Sequence, residues 1–372
     1  MRRLLLAAVV ALACTASARA AVPQPDARAF YVVNGSSGEV LAARDADAQL
    51  PVASITKLMT VLVALQHLDV DQVVTVAPQV ARVGGSRIPL HTGERITVRD
   101  LLKGALIQSA NDAADALAAA ASDDDLPKFV SWMNARARQI GLRDTHFERP
   151  DGLDTPGHVS SAQDVALLAR VAMHSDVVRS IVRERSDVIE GGRVVLHTWN
   201  DLLGVFPGLI GVKTGHTNAA GWCEVAAARR PGYTIYAVIL GSPTRAQRNA
   251  GLEQLLAWGV AQYRTLTLVA RAPYTRVALP YGLAAVPLVA ATPLVRVVHT
   301  GTPLVQRIVA PSAVSVPVVR GRRLGRIEVW AGERLLGVRP LLASRSVRRP
   351  GLGARVRWYA TRTMHDLWGF LK

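Results

Sequence analysis

The apolar positions of the chain fall into short runs, and each run predicts an element. AFYVV (29–33) and EVLAA (39–43), divided by the turn residues NGSSG, predict a β-hairpin. PVASITKLMTVLVALQHL (51–68) is apolar on nearly every side, which predicts a buried helix begun by Ser54. A strand-like VVTVA (73–77) and the Gly-rich stretch VGGSRIPLHTGE (83–94) follow, the latter reading as a mobile loop because it does not lead into a helix directly after a strand. Thr97 and Asp100 make a capping-box-like start to VRDLLKGALIQ (98–108), and DAADALAAAA (112–121) predicts a second helix, so Ser109-Ala110-Asn111 sits at their junction. Ser161 and Asp164 repeat the capping signal before VALLARVAM (165–173). Strands around LIGVKTG (209–215), GWCEVAAA (221–228) and YTIYAVILG (233–241) precede the helix NAGLEQLLAWGV (249–260). Helices flanking a mostly antiparallel sheet is an α+β arrangement.

After about Thr265 the pattern changes. Short β-rich runs such as LVRVVHT, QRIVAP and RIEVWAG are broken by Pro and Gly at regular spacing, predicting a small all-β domain over 265–349. The tail, 350–372, has Val356, Tyr359, Thr363, Leu367 and Phe370 at helical spacing, with Trp358 and Trp368 suited to a headgroup boundary. Internal arginines and Asp366 favour a helix lying flat in a membrane interface over one spanning it. Packing of that helix on the β-domain is the alternative. At the other end, Arg2 and Arg3, an apolar run from Leu4 to Ala13 and the small-x-small site Ala18-Arg19-Ala20 predict an export signal over 1–20. The expected domains are therefore a leader (1–20), a main domain (21–264), the β-domain and the terminal helix.

Charge sharpens this division. From Thr265 to Lys372 there are 17 basic and 3 acidic residues, so +14 of the chain's formal +16 lies there. Such asymmetry points to an anionic membrane surface or nucleic acid, and the export signal favours the membrane, on the periplasmic face of an inner membrane, with no nucleic-acid role. A plain solvated surface is the alternative for the β-domain. Leader removal leaves Cys223 as the one cysteine, which excludes an internal disulfide, and the residues before Cys14 match a lipoprotein signal poorly.

The chemistry is carried by lysine. Only 5 of the 44 basic residues are lysines, yet two of them fall in Ser54-x-x-Lys57 and Lys213-Thr214-Gly215. Arginine never deprotonates, whereas a desolvated lysine accepts a proton. Residues three apart on a helix share a face, which brings Lys57 within reach of the Ser54 hydroxyl. A lysine in an otherwise apolar helix is thus explained by a site that needs a base. No second histidine or carboxylate stands at ligand spacing from His158, which reads as a loop brace; neither metal nor cofactor is expected.

SITK, SAN and KTG, in that order, resemble the signature of penicillin-recognising serine enzymes. PVASITKLMT, IQSANDAADALA, DGLDTPGHVSSAQDVALLA and VKTGHTNAAGWCEVAAA are similar to the low-molecular-mass D-alanyl-D-alanine carboxypeptidases, over about Ala29 to Tyr263, and the β-domain and terminal helix match as well. The resemblance implies an α+β, β-lactamase-like serine transferase domain with an antiparallel sheet flanked by helices, then a small all-β domain and an amphipathic helix. It implies removal of the terminal D-Ala from peptidoglycan stem pentapeptides through a Ser54 acyl-enzyme, with β-lactams as covalent inhibitors. Lys57 would be the general base, the Ser109 hydroxyl would relay a proton to the leaving amine, and Asn111 would orient Lys57 and the substrate amide. Lys213 would supply positive potential, Thr214 in Lys213-Thr214-Gly215 would bond the substrate carboxylate with Arg248, and the backbone N–H groups of Ser54 and His216 would form the oxyanion hole. Two departures leave substrate preference open: GLIGV before K-T-G is apolar where many relatives carry an acidic residue, and Trp199 replaces a common basic residue. No match to the E-x-x-L-N segment of class A β-lactamases is present. A D,D-endopeptidase using the same residues, or an idle envelope scaffold, stay open as alternatives.

Overall fold

The computed structural model describes residues 5–12, 21–189 and 192–370, with side chains for 21–189 and 192–363. The described residues form two compact units: one within 21–261, and one within 262–370 together with the first strand, β1 (Leu5–Leu12).

In the larger unit, β2 (Ala29–Asn34) and β3 (Val40–Arg44) form the hairpin. The helices follow: α1 (Lys57–Ala64), then, after the short pair β4 (Val73–Thr75) and β5 (Arg95–Thr97), α2 (Val98–Lys103), α3 (Asn111–Ser122), α4 (Leu126–Ile140), α5 (Ala162–Ala172) and α6 (Asp176–Val182). A second short pair, β6 (Ser186–Ile189) and β7 (Val194–His197), leads to β8 (Leu209–Thr217), β9 (Gly221–Arg230), β10 (Tyr233–Ser242) and α7 (Arg245–Ala261). The main sheet is antiparallel in the order β3-β2-β10-β9-β8, so β8 is an edge strand.

The apolar runs of β9 and β10 lack alternation because both faces of the sheet are covered. Tyr236, Val238 and Leu240 join the core built by α1 to α5, whereas Ile235 and Ile239 lie against α7 at Gly259 and Gly251. Burial on two faces demands apolar residues at successive positions. Helix α1 is central, with Leu58, Met59, Val61, Val63 and Ala64 wholly buried and α3, α4 and α5 packed around it. It is shorter than its apolar run: Ala53–Thr56 is a 3₁₀ turn, and the α-helix starts at Lys57. The caps form as expected, Thr97 Oγ1 accepting from Asp100 N (3.1 Å) and Ser161 Oγ from Asp164 N (3.2 Å).

The smaller unit is all-β apart from its final helix. It comprises β11 (Tyr263–Val269), β12 (Pro273–Val277), β13 (Val286–Ala290), β14 (Leu294–His299), β15 (Leu304–Pro311), β16 (Arg323–Ala331) and β17 (Arg334–Ala343), then α8 (Leu352–Phe370). Its larger sheet runs β1-β15-β16-β17-β13-β12, and β11 pairs with β14. Leu268, Val277, Leu288, Leu294, Ile327, Val329 and Leu341 form its own core. On α8, Val356 and Tyr359 are exposed, and the Trp358 ring meets Tyr281 edge-on at 5.5 Å. Ala18-Arg19-Ala20 and Cys14 lie outside the described residues, as do the side chains of Leu367, Trp368 and Phe370. Among the described residues no helix is long and apolar enough to cross a membrane.

Candidate active site

Ser54 stands in the 3₁₀ turn ahead of α1, directly after Ala53, whose φ of 50° is left-handed. Lys57 is wholly buried, and its ammonium nitrogen has three partners: Ser54 Oγ at 2.7 Å, Asn111 Oδ1 at 2.7 Å and the Asp151 carbonyl oxygen at 2.6 Å. A neutral amine offers two N–H donors and one lone pair. Asn111 Oδ1 and the Asp151 carbonyl can only accept, so in the neutral form the lone pair is left for the Ser54 hydroxyl. Burial drives this form, bringing the Lys57 pKa down to about 8 against the opposing charges of Asp151 and Asp115. The Asp151 carboxylate itself is held by Arg149 at 2.5 and 2.7 Å.

Gly152 lets that carbonyl approach. Its φ is 81°, and a Cβ there would lie 2.2 Å from the Ala53 carbonyl oxygen. Thr60 Oγ1 bonds the Pro150 carbonyl at 2.5 Å, tying the same loop to α1. His158 braces it from the other side: Nδ1 accepts from Glu148 N (3.1 Å), which makes Nε2 the donor to Thr56 Oγ1 (2.8 Å). Burial lowers its pKa to about 4, so the ring is neutral.

Ser109 has a left-handed backbone, φ 62°, between a π-turn over Gly104–Gln108 and α3. Its Oγ accepts from Lys213 Nζ at 2.7 Å, and the same nitrogen donates to the Thr214 carbonyl at 2.9 Å. Burial first, and the charge of Lys57 next, hold the Lys213 pKa well below the usual lysine range. Each lysine of the two motifs therefore contacts one serine. Asn111 Nδ2 donates to the Gly84 carbonyl (2.7 Å) and its N–H to the Ser86 carbonyl (2.7 Å), while Asp112 accepts from Ile88 and Leu90 N–H. The Gly-rich segment is thus seated on α3 beside the site.

Gly215 brings edge strand β8 against the Ser54 turn, since a Cβ there would lie 2.7 Å from the Val52 carbonyl and 3.1 Å from Ser54 N. His216 stacks on Trp222 with centroids 4.0 Å apart. Between these parts opens a cleft of about 300 Å³, lined among others by Ser54, Ser109, Asn111, Thr214, Trp199 and Arg248. Arg248 is held by Asn249 Oδ1 (2.6 Å to Nη2) and Asp201 Oδ2 (3.2 Å). Trp199 donates from Nε1 to the Gln108 carbonyl (3.0 Å), and Arg245 lies over its ring at 5.2 Å. Cys223 is buried, its thiol pushed up to about 11, and is unreactive on that account. Among the described residues no group of three His, Cys, Asp or Glu is placed to hold a metal.

The nine site residues expected from the sequence thus lie in or around one cleft. Sequence reasoning missed the Asp151 and Gly84 carbonyls, Asp201, Trp222 and Glu224. Backbone acceptors carry no side-chain signature, and only DGLDT, inside a stretch that resembles the family, marked the Asp151 loop.

An α+β scaffold that buries two lysines, each bonded to a serine at the mouth of one cleft, defines a serine-type acyl-transfer enzyme. The family model for D-alanyl-D-alanine carboxypeptidases matches residues 16–244. The chain is 29% identical to D-alanyl-D-alanine carboxypeptidase DacF of Bacillus subtilis (strain 168) over 92% of its length and 90% of the relative's. It is 36% identical to D-alanyl-D-alanine carboxypeptidase DacC of Escherichia coli (strain K12) over 66% of its length and 64% of that protein's. Among solved structures, penicillin binding protein 5 from Haemophilus influenzae superposes with a TM-score of 0.64 at 26% identity, over 88% of this chain and 99% of that one. Penicillin-binding protein D2 from Listeria monocytogenes, in its ampicillin-bound form, does so at 0.59 and 31% identity over 64% and 98%. The chain belongs to the D-alanyl-D-alanine carboxypeptidase family, and it is a serine-type enzyme of that activity.

Proposed function

We propose that this enzyme removes the terminal D-Ala of peptidoglycan stem pentapeptides through an acyl-enzyme on Ser54. The observation that carries the reading is the three-way contact of Lys57. Its lone pair takes the Ser54 proton as Oγ attacks the penultimate D-Ala carbonyl, and the N–H groups of Ser54 and His216 receive the oxyanion. Ser109 passes its proton to the leaving D-Ala amine and takes up the one Lys57 has gained, which leaves Lys57 neutral, while Lys213 beside Ser109 supplies positive potential. Water then attacks the ester carbonyl as Lys57 accepts its proton, and Lys57 hands that proton to the departing Ser54 Oγ, so that Ser54 is restored. Incubation with a pentapeptide ending in D-Ala-D-Ala and with a crosslinked muropeptide tests the substrate: released D-alanine supports the carboxypeptidase, and preferential cleavage of crosslinks would make it an endopeptidase.

The sign of the pH dependence follows from Lys57. Below about 8 the amine is protonated and cannot accept, so acylation by penicillin rises with pH through about 8 and levels above it. A rate independent of pH from 6 to 9 would contradict the base.

Arg248 and Thr214 read the free C-terminal carboxylate, a task suited to a guanidinium fixed by Asp201 and Asn249. Arg248→Ala should lower kcat/KM on a free D-Ala-D-Ala end by about tenfold or more and leave the C-terminal amide far less affected. Equal losses on both substrates would contradict it.

As to location, we read residues 1–20 as a leader, 21–264 as the catalytic domain, 265–349 as the β-domain and 350–372 as a helix resting on anionic lipid at the periplasmic face. The basic excess and the exposed Val356 and Tyr359 support this. Deleting 351–372 should release the protein from membranes with penicillin binding kept, whereas persistent membrane association would overturn the anchor.

A further inference from the structure

Glu224 is the one acidic residue in the apolar run of β9, directly opposite Thr214 of β8. It is wholly buried, and among the described residues neither carboxyl oxygen accepts a hydrogen bond. A buried carboxyl without donors is costly, so a purely structural role does not account for it. Its nearest charge is Arg248, whose Nε lies 3.1 Å from Oε2. That N–H points instead to Asn249 Oδ1 at 3.0 Å, so the contact with Glu224 is ionic without being a hydrogen bond. Arg248 therefore stands between two carboxylates of the chain, the buried Glu224 and the exposed Asp201, while Asp201 is also clamped by Arg245 and Asn249.

We infer that Glu224 is a positioning residue for Arg248, an internal carboxylate that competes with the substrate's C-terminal carboxylate for the same guanidinium. The inference rests on the reading of Arg248 given above. With Glu224 ionised, Arg248 is paired inward and its field in the cleft is cancelled. With Glu224 neutral, that field is left for the substrate.

The charges facing Glu224 are Arg248 and Arg245 from α7, Asp201 from the loop after β7, and Lys213 from β8. Burial, joined by the negative charge of Asp201, outweighs the three cations and raises the Glu224 pKa to about 7. A substrate carboxylate arriving at Arg248 adds a second negative charge nearby and takes away part of Arg248's attraction. Both effects raise the Glu224 pKa further, so binding takes up a proton. Preference for a free carboxylate then strengthens as pH falls through about 7, opposite in sense to the Lys57 dependence.

The ratio of kcat/KM on a D-Ala-D-Ala peptide to that on its C-terminal amide isolates this effect, because the Lys57 titration is common to both substrates. In the full-length protein the ratio should be on the order of tenfold higher at pH 6 than at pH 8.5, the change one unit of coupled proton binding gives. Glu224→Gln should make the ratio independent of pH and hold it near the wild-type value at pH 6, and Glu224→Leu serves where the amide fails to fold. A wild-type ratio that does not change with pH, or one whose pH dependence survives in Glu224→Gln, overturns the inference. An unchanged ratio in Arg248→Ala would instead overturn the reading of Arg248 on which it rests, and so separates the two failures.

Discussion

Ser54→Ala should abolish D-alanine release and covalent labelling by penicillin while the protein stays folded. The expected loss is roughly four orders of magnitude or more, since the covalent route vanishes and only binding and the oxyanion donors remain. The fold should survive because Ser54 contributes one of three Lys57 contacts, and those to Asn111 and Asp151 persist. Loss of a single such bond costs about 1 kcal/mol. Fluorescent-penicillin labelling beside a thermal melt reads both halves. Labelling at the wild-type level would sink the nucleophile.

Lys57→Arg comes second in size. It keeps the positive charge but removes the proton acceptor, so acylation should fall by on the order of a hundredfold or more. Its acid limb near 8 should disappear as well. The larger guanidinium must also fit a wholly buried site, at a cost of about 1 to 3 kcal/mol, which a melting curve measures separately from the acylation rate. Acylation at the wild-type rate would contradict the assignment of Lys57. Lys213→Arg should be milder, because the duty proposed for Lys213 is mainly electrostatic.

Much of this arrangement is legible in the sequence. A lysine in an arginine-preferring chain, one turn after a serine in an apolar run, already asks for a base, and its burial explains why the run is apolar on every side. Ser109 and Asn111 are legible as a helix junction, and Ser109 takes the left-handed backbone that such a junction requires. Other features leave weaker traces. Residues 83–94 look mobile because Gly and polar residues crowd there, but what seats them are carbonyls and N–H groups bonded to Asn111 and Asp112. The buried state of Glu224 is hidden because β9 is covered on both faces, so the alternation that would separate inside from outside is lacking. The helical period of the tail gives an apolar stripe, while the surface that covers it is a tertiary or membrane matter that periodicity does not encode.

The most direct measurement is the site of the acyl adduct. The protein is trapped with penicillin, digested, and its peptides are sequenced by mass spectrometry. The geometry around Lys57 predicts one adduct, on the peptide that contains Ser54, formed faster as pH rises toward 8 and absent from Ser54→Ala. An adduct on Ser109 or any other serine would contradict it.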